Sequence, residues 1–64
     1  MLDPAIRNFH KAVINEAAQK LDRTLTQREE KFITSRGSFV ALEMISDYVK
    51  AETKEKIETY LNSK

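Results

Sequence analysis

Residues that interrupt helices are almost missing from this 64-residue chain, which has one proline and one glycine. No Asn-Gly or Asp-Gly pair marks a tight hairpin, and the apolar residues do not alternate with polar ones as they do in strands. They recur instead at the three- and four-residue spacing of a helix. The sequence therefore predicts an all-α fold in one domain, residues 1–64.

The first predicted helix begins at Asp3 and Pro4. Aspartate is a good N-cap, and proline is favoured at the first helical position because the N–H that it lacks would have no partner there. The apolar residues of this segment form one stripe at helical spacing, made of Leu2, Ile6, Phe9, Val13, Ala17 and Leu21. We expect this helix to cover about residues 4–22.

A capping box predicts the start of a second helix, over residues 27–36. The side chains of Thr26 and Glu29 are spaced so that each can bond the backbone N–H of the other residue. On a straight helix through residues 27–50, the polar residues of the second half would lie on the same side as Phe32 and Ile33. Because the apolar face changes sides, the sequence predicts that the helix does not continue unbroken.

The chain's only glycine, in the segment SRGSF, marks where that break is expected. Gly37 is predicted to take the left-handed conformation that ends many helices, and Ser38 to cap the next helix. The alternative is a glycine inside a continuous helix, which would give a two-helix hairpin with a long second helix.

The third predicted helix covers residues 39–61. Its second half is highly charged, and the i,i+4 pairs Glu52–Lys56 and Lys54–Glu58 favour an exposed continuous helix. Thr53 offers a cap for a separate last helix, but we expect the third helix to continue to about Leu61. The predicted architecture is a small bundle of three helices.

A domain of this size has a marginal hydrophobic core, and such domains usually add a disulfide, a metal site or a second subunit. The chain has no cysteine and one histidine, so a second subunit is the device that remains. The third helix is apolar on most of its sides. This apolar surface is larger than the two other short helices can cover. We expect a homodimer or another protein interface there, with these candidate residues: Phe39, Val40, Met44, Ile45 and Tyr48.

The usual signs of an enzyme are missing from the sequence, which has no cysteine nucleophile, no glycine-rich phosphate loop and no cluster of metal ligands. His10 is the only residue suited to base catalysis near neutral pH, and its place beside the apolar stripe predicts a half-covered histidine at the edge of the core. Glu29 and Glu30 point about 100° apart on a helix and do not form an acid pair. We expect no enzymatic activity, no cofactor and no metal.

The charge balance does not favour nucleic-acid binding, since 11 basic residues stand against 10 acidic ones for a net charge of +1. A helix-turn-helix around the glycine would need a small residue and two apolar residues where this chain has Ile33, Glu43 and Ser46. A basic and amide face on the first helix is the alternative site for nucleic acid or an acidic partner. Its residues are Arg7, Asn8, Lys11 and Asn15.

The opening segment MLDPAIRNFHKAVINEAAQKL, and the chain as a whole, resembles the small helical early accessory proteins of lambda-like temperate bacteriophages. The resemblance implies a regulatory role through protein contacts in the cytoplasm of a bacterial host, and it assigns no site residues. No apolar run is long enough for a membrane span or a secretion signal, which also predicts a cytoplasmic protein. We therefore expect a non-enzymatic regulatory protein that acts through protein–protein contacts, with weak nucleic-acid binding as the alternative.

Overall fold

The computed structural model describes residues 3–62 and contains four helices in that range. They are α1 (Pro4–Leu21), α2 (Gln27–Thr34), α3 (Phe39–Ala51) and α4 (Lys54–Leu61). The predicted all-α class is confirmed. The predicted number of helices is wrong, because neither three helices nor a two-helix hairpin matches the four that are present.

Helix α1 begins as the sequence predicts. The Asp3 carboxylate accepts a hydrogen bond of 2.8 Å from the backbone N–H of Ala5, and Pro4 occupies the first turn. Of the predicted apolar stripe, Ile6, Val13, Ala17 and Leu21 are buried and Phe9 is half-buried, whereas Leu2 lies outside the described residues.

Within residues 3–62, the left-handed backbone conformation is adopted by an aspartate and not by the glycine. Asp22 follows α1 with φ 57°, and it is the only non-glycine residue with positive φ in residues 3–62. The N–H groups of Asp22 and Arg23 bond back to Gln19 and Ala18, which satisfies the last carbonyls of the helix. Aspartate tolerates this conformation better than most residues do.

The break between α2 and α3 is confirmed, but the predicted conformation of Gly37 is wrong. Helix α2 ends at Thr34, Ser35 keeps helical dihedral angles, and Gly37 does not have positive φ. Ser38 caps α3 as predicted, since its hydroxyl accepts the N–H of Ala41 at 3.1 Å. The capping serine therefore starts a new helix without help from a left-handed glycine.

The predicted helix over residues 39–61 is also wrong, because it is interrupted after Ala51. Glu52 is extended, with φ −101° and ψ 166°, and the hydroxyl of Thr53 caps α4 by accepting the N–H of Lys56 at 3.3 Å. This turn brings Ile57 and Leu61, both fully buried, into the same core as the other helices. If α3 continued as one straight helix to residue 61, these two side chains would lie too far along its axis to reach that core.

Helix α1 is the centre of the fold and packs against each of the other three helices, while α2 also packs against α4. Contacts between α1 and α3 join residues 30 positions apart at three levels, so the two helices run side by side in the same direction. Those contacts are Phe9–Phe39, Glu16–Ser46 and Lys20–Lys50. The buried apolar core is made of Ile6, Val13, Ala17, Leu21, Leu25, Ile33, Leu42, Ile45, Val49, Ile57 and Leu61.

Candidate functional site

The structure divides the five residues predicted to form an interface on α3. Phe39, Val40 and Met44 are exposed, at 47%, 67% and 66% of their surface. Ile45, at 1%, belongs to the chain's own core, and the half-buried Tyr48 stacks on Tyr60 with 4.3 Å between ring centroids. The candidate interface is therefore corrected to three residues, Phe39, Val40 and Met44, which we call the α3 patch.

The α3 patch is exposed because α3 is covered mainly on one side. Leu42, Ile45 and Val49 recur at three- and four-residue spacing and point into the core. Val40 and Met44, one turn apart, consequently face the solvent. Phe39 leans on the half-buried Phe9 of α1, with 5.9 Å between the ring centroids, and this contact extends the apolar surface across to α1.

An acidic groove borders the α3 patch. It is a cleft of about 260 Å³ between α1 and α3, lined by Phe9, Ala12, Val13, Glu16, Glu43, Ser46, Asp47 and Lys50. Glu16 accepts a 2.7 Å hydrogen bond from Ser46 and forms a 3.6 Å ion pair with Lys50. Glu43 and Asp47 are exposed, and no ion pair joins either of them to a cation within residues 3–62.

The predicted basic and amide face is present as an exposed surface of α1. Arg7, Asn8, Lys11 and Asn15 are all exposed. Arg7 and Lys11, one turn apart, border a pocket of about 220 Å³ between α1 and α2, together with His10, Ile14 and Thr34. No carboxylate lines this pocket in the described part of the chain. The site is therefore cationic and hydroxyl-bearing, with an apolar wall.

His10 is more deeply placed than the sequence predicts. It is buried instead of half-covered, and its Nε2 lies 2.5 Å from the carbonyl oxygen of Arg36. A carbonyl only accepts, so Nε2 must bear the proton that is donated in this bond. The contact fixes the loop between α2 and α3 against α1. The arrangement gives His10 a structural role and brings no hydroxyl or carboxylate into a nucleophile–base pair with it within residues 3–62.

Sequence reasoning missed a charged network at the other end of the bundle. Arg23 donates two hydrogen bonds of 2.8 Å to the two oxygens of the buried Glu29 and a third, of 3.0 Å, to Glu58. Glu29 also accepts from the N–H of Thr26 and from the amide of Asn62, each at 2.9 Å. The capping box predicted only the bond to Thr26, since the other partners depend on how the helices pack.

These contacts alter the acid–base behaviour of the pair. The hydrogen bonds from Arg23 lower the pKa of Glu29 to about 2, and the bonds from Thr26 and Asn62 act in the same direction against the opposing effect of burial. Glu29 and Glu58 in turn raise the pKa of Arg23. Every buried side-chain polar atom in residues 3–62, those of Glu29 included, has a hydrogen-bond partner within the chain, so the network is explained by its contribution to the fold.

A second cleft, of about 520 Å³, lies where α3 and α4 diverge. It is lined by Tyr48, Glu52, Glu55, Lys56, Thr59 and Tyr60. Glu52 and Lys56 form an ion pair of 3.6 Å across it, and the two tyrosine rings stack on each other. Glu52 and Lys56 thus neutralise each other, whereas Glu55 is exposed and has no ion pair in residues 3–62.

Neither membrane nor metal features are found among the described residues. No helix in residues 3–62 is both long and apolar enough to cross a bilayer. The same part of the chain contains no group of three or more His, Asp and Glu side chains that could hold a metal ion. Comparison with protein-family models, curated proteins and solved structures finds no significant match to this chain.

Proposed function

We propose that this chain is a small, non-enzymatic regulatory protein that binds another protein through the α3 patch. The observation that supports the proposal is the exposure of Phe39, Val40 and Met44 within the first six residues of α3, while the other large hydrophobic side chains of residues 3–62 are buried or half-buried. Large apolar residues exposed close together on a small protein are typical of an interaction site. Phenylalanine and methionine are also enriched in interface cores.

A different protein suits this face better than a second copy. Two copies related by a two-fold axis would present the same surface to each other, so Glu43 and Asp47 of both copies would share one interface. The nearby cation Lys50 already pairs with Glu16. Like charges without a neutralising cation oppose such pairing. The homodimer predicted from the sequence is therefore the alternative occupant.

Nucleic-acid binding is the second candidate function, and a separate observation favours it. Five cations on α1 and α2 form no ion pair with a carboxylate in the described chain: Arg7, Lys11, Lys20, Arg28 and Lys31. Arg7 and Lys11 share the pocket between α1 and α2, and cations without a carboxylate partner are the usual contacts to phosphates. This surface is distinct from the α3 patch, so the two functions can be tested independently.

Photo-crosslinking in the native cell tests the proposal. A photoreactive amino acid is placed at Val40, at Asn15 on the basic face, or at the exposed Lys54 as a matched control. We expect a discrete protein adduct from Val40 alone, which survives nuclease treatment and is lost when Met44→Glu is added.

Three other outcomes would contradict it. Equal adducts from all three positions would indicate a non-specific surface. An adduct containing a second copy of the chain would establish the homodimer instead. A nuclease-sensitive adduct from Asn15, with none from Val40, would favour the nucleic-acid function.

A further inference from the structure

The acidic groove beside the α3 patch indicates the kind of partner segment that fits it. We propose that the partner contributes a basic amphipathic helix that lies in the groove between α1 and α3. Its apolar residues would cover the α3 patch, and its Lys or Arg residues would neutralise Glu43 and Asp47. This inference rests on the proposed protein-binding function and specifies its partner.

The geometry suits a helix because α1 and α3 run side by side in the same direction. The separation of 30 residues is the same from Phe9–Phe39 to Lys20–Lys50, so α1 and α3 lie side by side over about three helical turns. Its floor is apolar, with Phe9, Ala12 and Val13. A third helix placed over two neighbouring helices presents apolar anchors one turn apart to such a floor.

The charges beside the α3 patch indicate which charge the partner segment carries. Glu43 and Asp47 are spaced i,i+4 on α3, where two like charges repel each other and weaken the helix. Half of the chain's eight other Asp and Glu carboxylates, those of Glu16, Glu29, Glu52 and Glu58, are each paired with a cation of the chain. Of the three carboxylates that line the groove, Glu16 is paired with Lys50, whereas Glu43 and Asp47 are exposed and have no ion pair in residues 3–62 beside an apolar surface. A bound cation would relieve their repulsion.

The same charges make other occupants unfavourable. Phosphates of nucleic acid or of an anionic membrane would be repelled by Glu43 and Asp47. An acidic helix would add further negative charge to the groove. Only a partner with cations beside its apolar residues complements both properties of this surface.

The experiment uses two synthetic helical peptides of about 18 residues, which is about five helical turns. Both have the same leucine pattern, and the polar positions are all lysine in one peptide and all glutamate in the other. Each is titrated into the isotopically labelled full chain and followed by backbone amide NMR. We expect the Leu/Lys peptide to shift the amides of residues 39–50 and those of α1 that line the groove, and the Leu/Glu peptide to leave them unchanged.

Charge variants test whether the groove itself is responsible. Glu43→Gln with Asp47→Gln should weaken binding of the Leu/Lys peptide roughly tenfold. The matched control is Glu30→Gln with Glu55→Gln, which removes two other carboxylates without an ion pair and should leave the affinity unchanged. Replacing Glu43 and Asp47 with lysine should reverse the preference in favour of the Leu/Glu peptide. Circular dichroism verifies that each variant keeps its helix content.

The outcomes separate this inference from the function on which it rests. Equal binding of both peptides at residues 39–50 would overturn the basic-partner inference and leave the α3 patch as a docking surface. Binding of the Leu/Lys peptide that is equally sensitive to both double variants would also overturn it, because attraction would then be general. Loss of the Val40 crosslink in cells, in contrast, would remove the proposed function itself.

Discussion

The carboxylate of Glu29 and the side-chain amide of Asn62 are joined by a hydrogen bond of 2.9 Å across 33 positions of the chain. Arg23 holds the same carboxylate from the other side with two bonds of 2.8 Å. Glu29 thereby connects three places that are distant in sequence: the end of α1, the start of α2 and the end of α4. This buried network and the exposed α3 patch lead to separate predictions, for stability and for binding.

Acid should unfold this protein partly through Glu29. Because Arg23 and the other donors lower the folded-state pKa of Glu29 from 4.5 to about 2, the stabilisation is complete above pH 4.5. It is lost progressively as pH falls from 4.5 towards 2, and amounts to about 3 kcal/mol at most. Urea unfolding followed by circular dichroism, from neutral pH down to about pH 2, measures this loss.

The variant Glu29→Gln should remove that part of the pH dependence. It also leaves Arg23 without its main partner, so we expect the free energy of unfolding at neutral pH to fall by about 2–4 kcal/mol. Glu43→Gln is the control, since Glu43 is exposed and unpaired, and it should keep the wild-type pH profile. A Glu29→Gln protein with an unchanged acid transition would contradict the assignment.

Gly37→Ala should stabilise the protein. Gly37 does not have positive φ, and a β-carbon there would meet no atom within 4 Å. Alanine is therefore tolerated in the folded state and restricts the unfolded chain, which is worth about 0.4–1 kcal/mol. Thermal unfolding measures the change. A clear loss of stability would show that Gly37 adopts the left-handed conformation after all.

Asp22→Gly should also raise the melting temperature, for the opposite reason. Asp22 has φ 57°, where a side chain is disfavoured and glycine is not. The expected gain is a few tenths of a kcal/mol up to about 1 kcal/mol. Asp22→Ala, at the same site, should be no more stable than the parent, and a gain in that variant would rule out backbone strain as the cause.

Thr53→Ala should weaken α4 by removing its cap. The Thr53 hydroxyl accepts the N–H of Lys56, and losing such a cap costs about 1 kcal/mol. Thr59→Ala, inside the same helix and exposed, is the control and should cost less. Backbone chemical shifts should show extended values at Glu52 and Thr53, and helical shifts without interruption from residue 39 to residue 61 would contradict the fourth helix.

Met44→Glu and Ile45→Glu should differ sharply although the residues are neighbours. Met44 is 66% exposed and Ile45 is 1% exposed. The first change should alter the free energy of unfolding by less than about 0.5 kcal/mol and abolish partner binding. The second places an unpaired charge in the core and should unfold the chain. If Met44→Glu unfolded the protein, or lowered its mass in sedimentation equilibrium, the homodimer would be favoured.

Local signals predicted most of the helix starts. Asp3, Thr26 and Ser38 cap helices as expected, because a cap depends only on residues a few positions away. The sequence offers Thr53 as a cap, but the Glu52–Lys56 pair favours a continuous helix there, and that prediction is wrong. That pair does form, at 3.6 Å, although Glu52 lies outside α4.

The site was predictable only in part. The sequence indicated that α3 has more apolar surface than its neighbours can cover, but not which residues would stay exposed. Ile45 and Tyr48 are covered because α3 lies along α1 and α4 turns back, so that Tyr60 reaches Tyr48. The contacts of Glu29 with Arg23 and Asn62 likewise depend on tertiary packing, and no local sequence pattern predicts them.

The central position of α1 has a consequence during synthesis on the ribosome. This helix emerges before the other three, yet it packs most extensively against α3 and also against α4, which both emerge after α2. The nascent chain therefore has an uncovered apolar helix until nearly all of the described sequence is available, and folding must wait for contacts between distant residues. Stalling translation before residue 39 should leave α1 accessible to chaperones, and release of the last two helices should end that exposure.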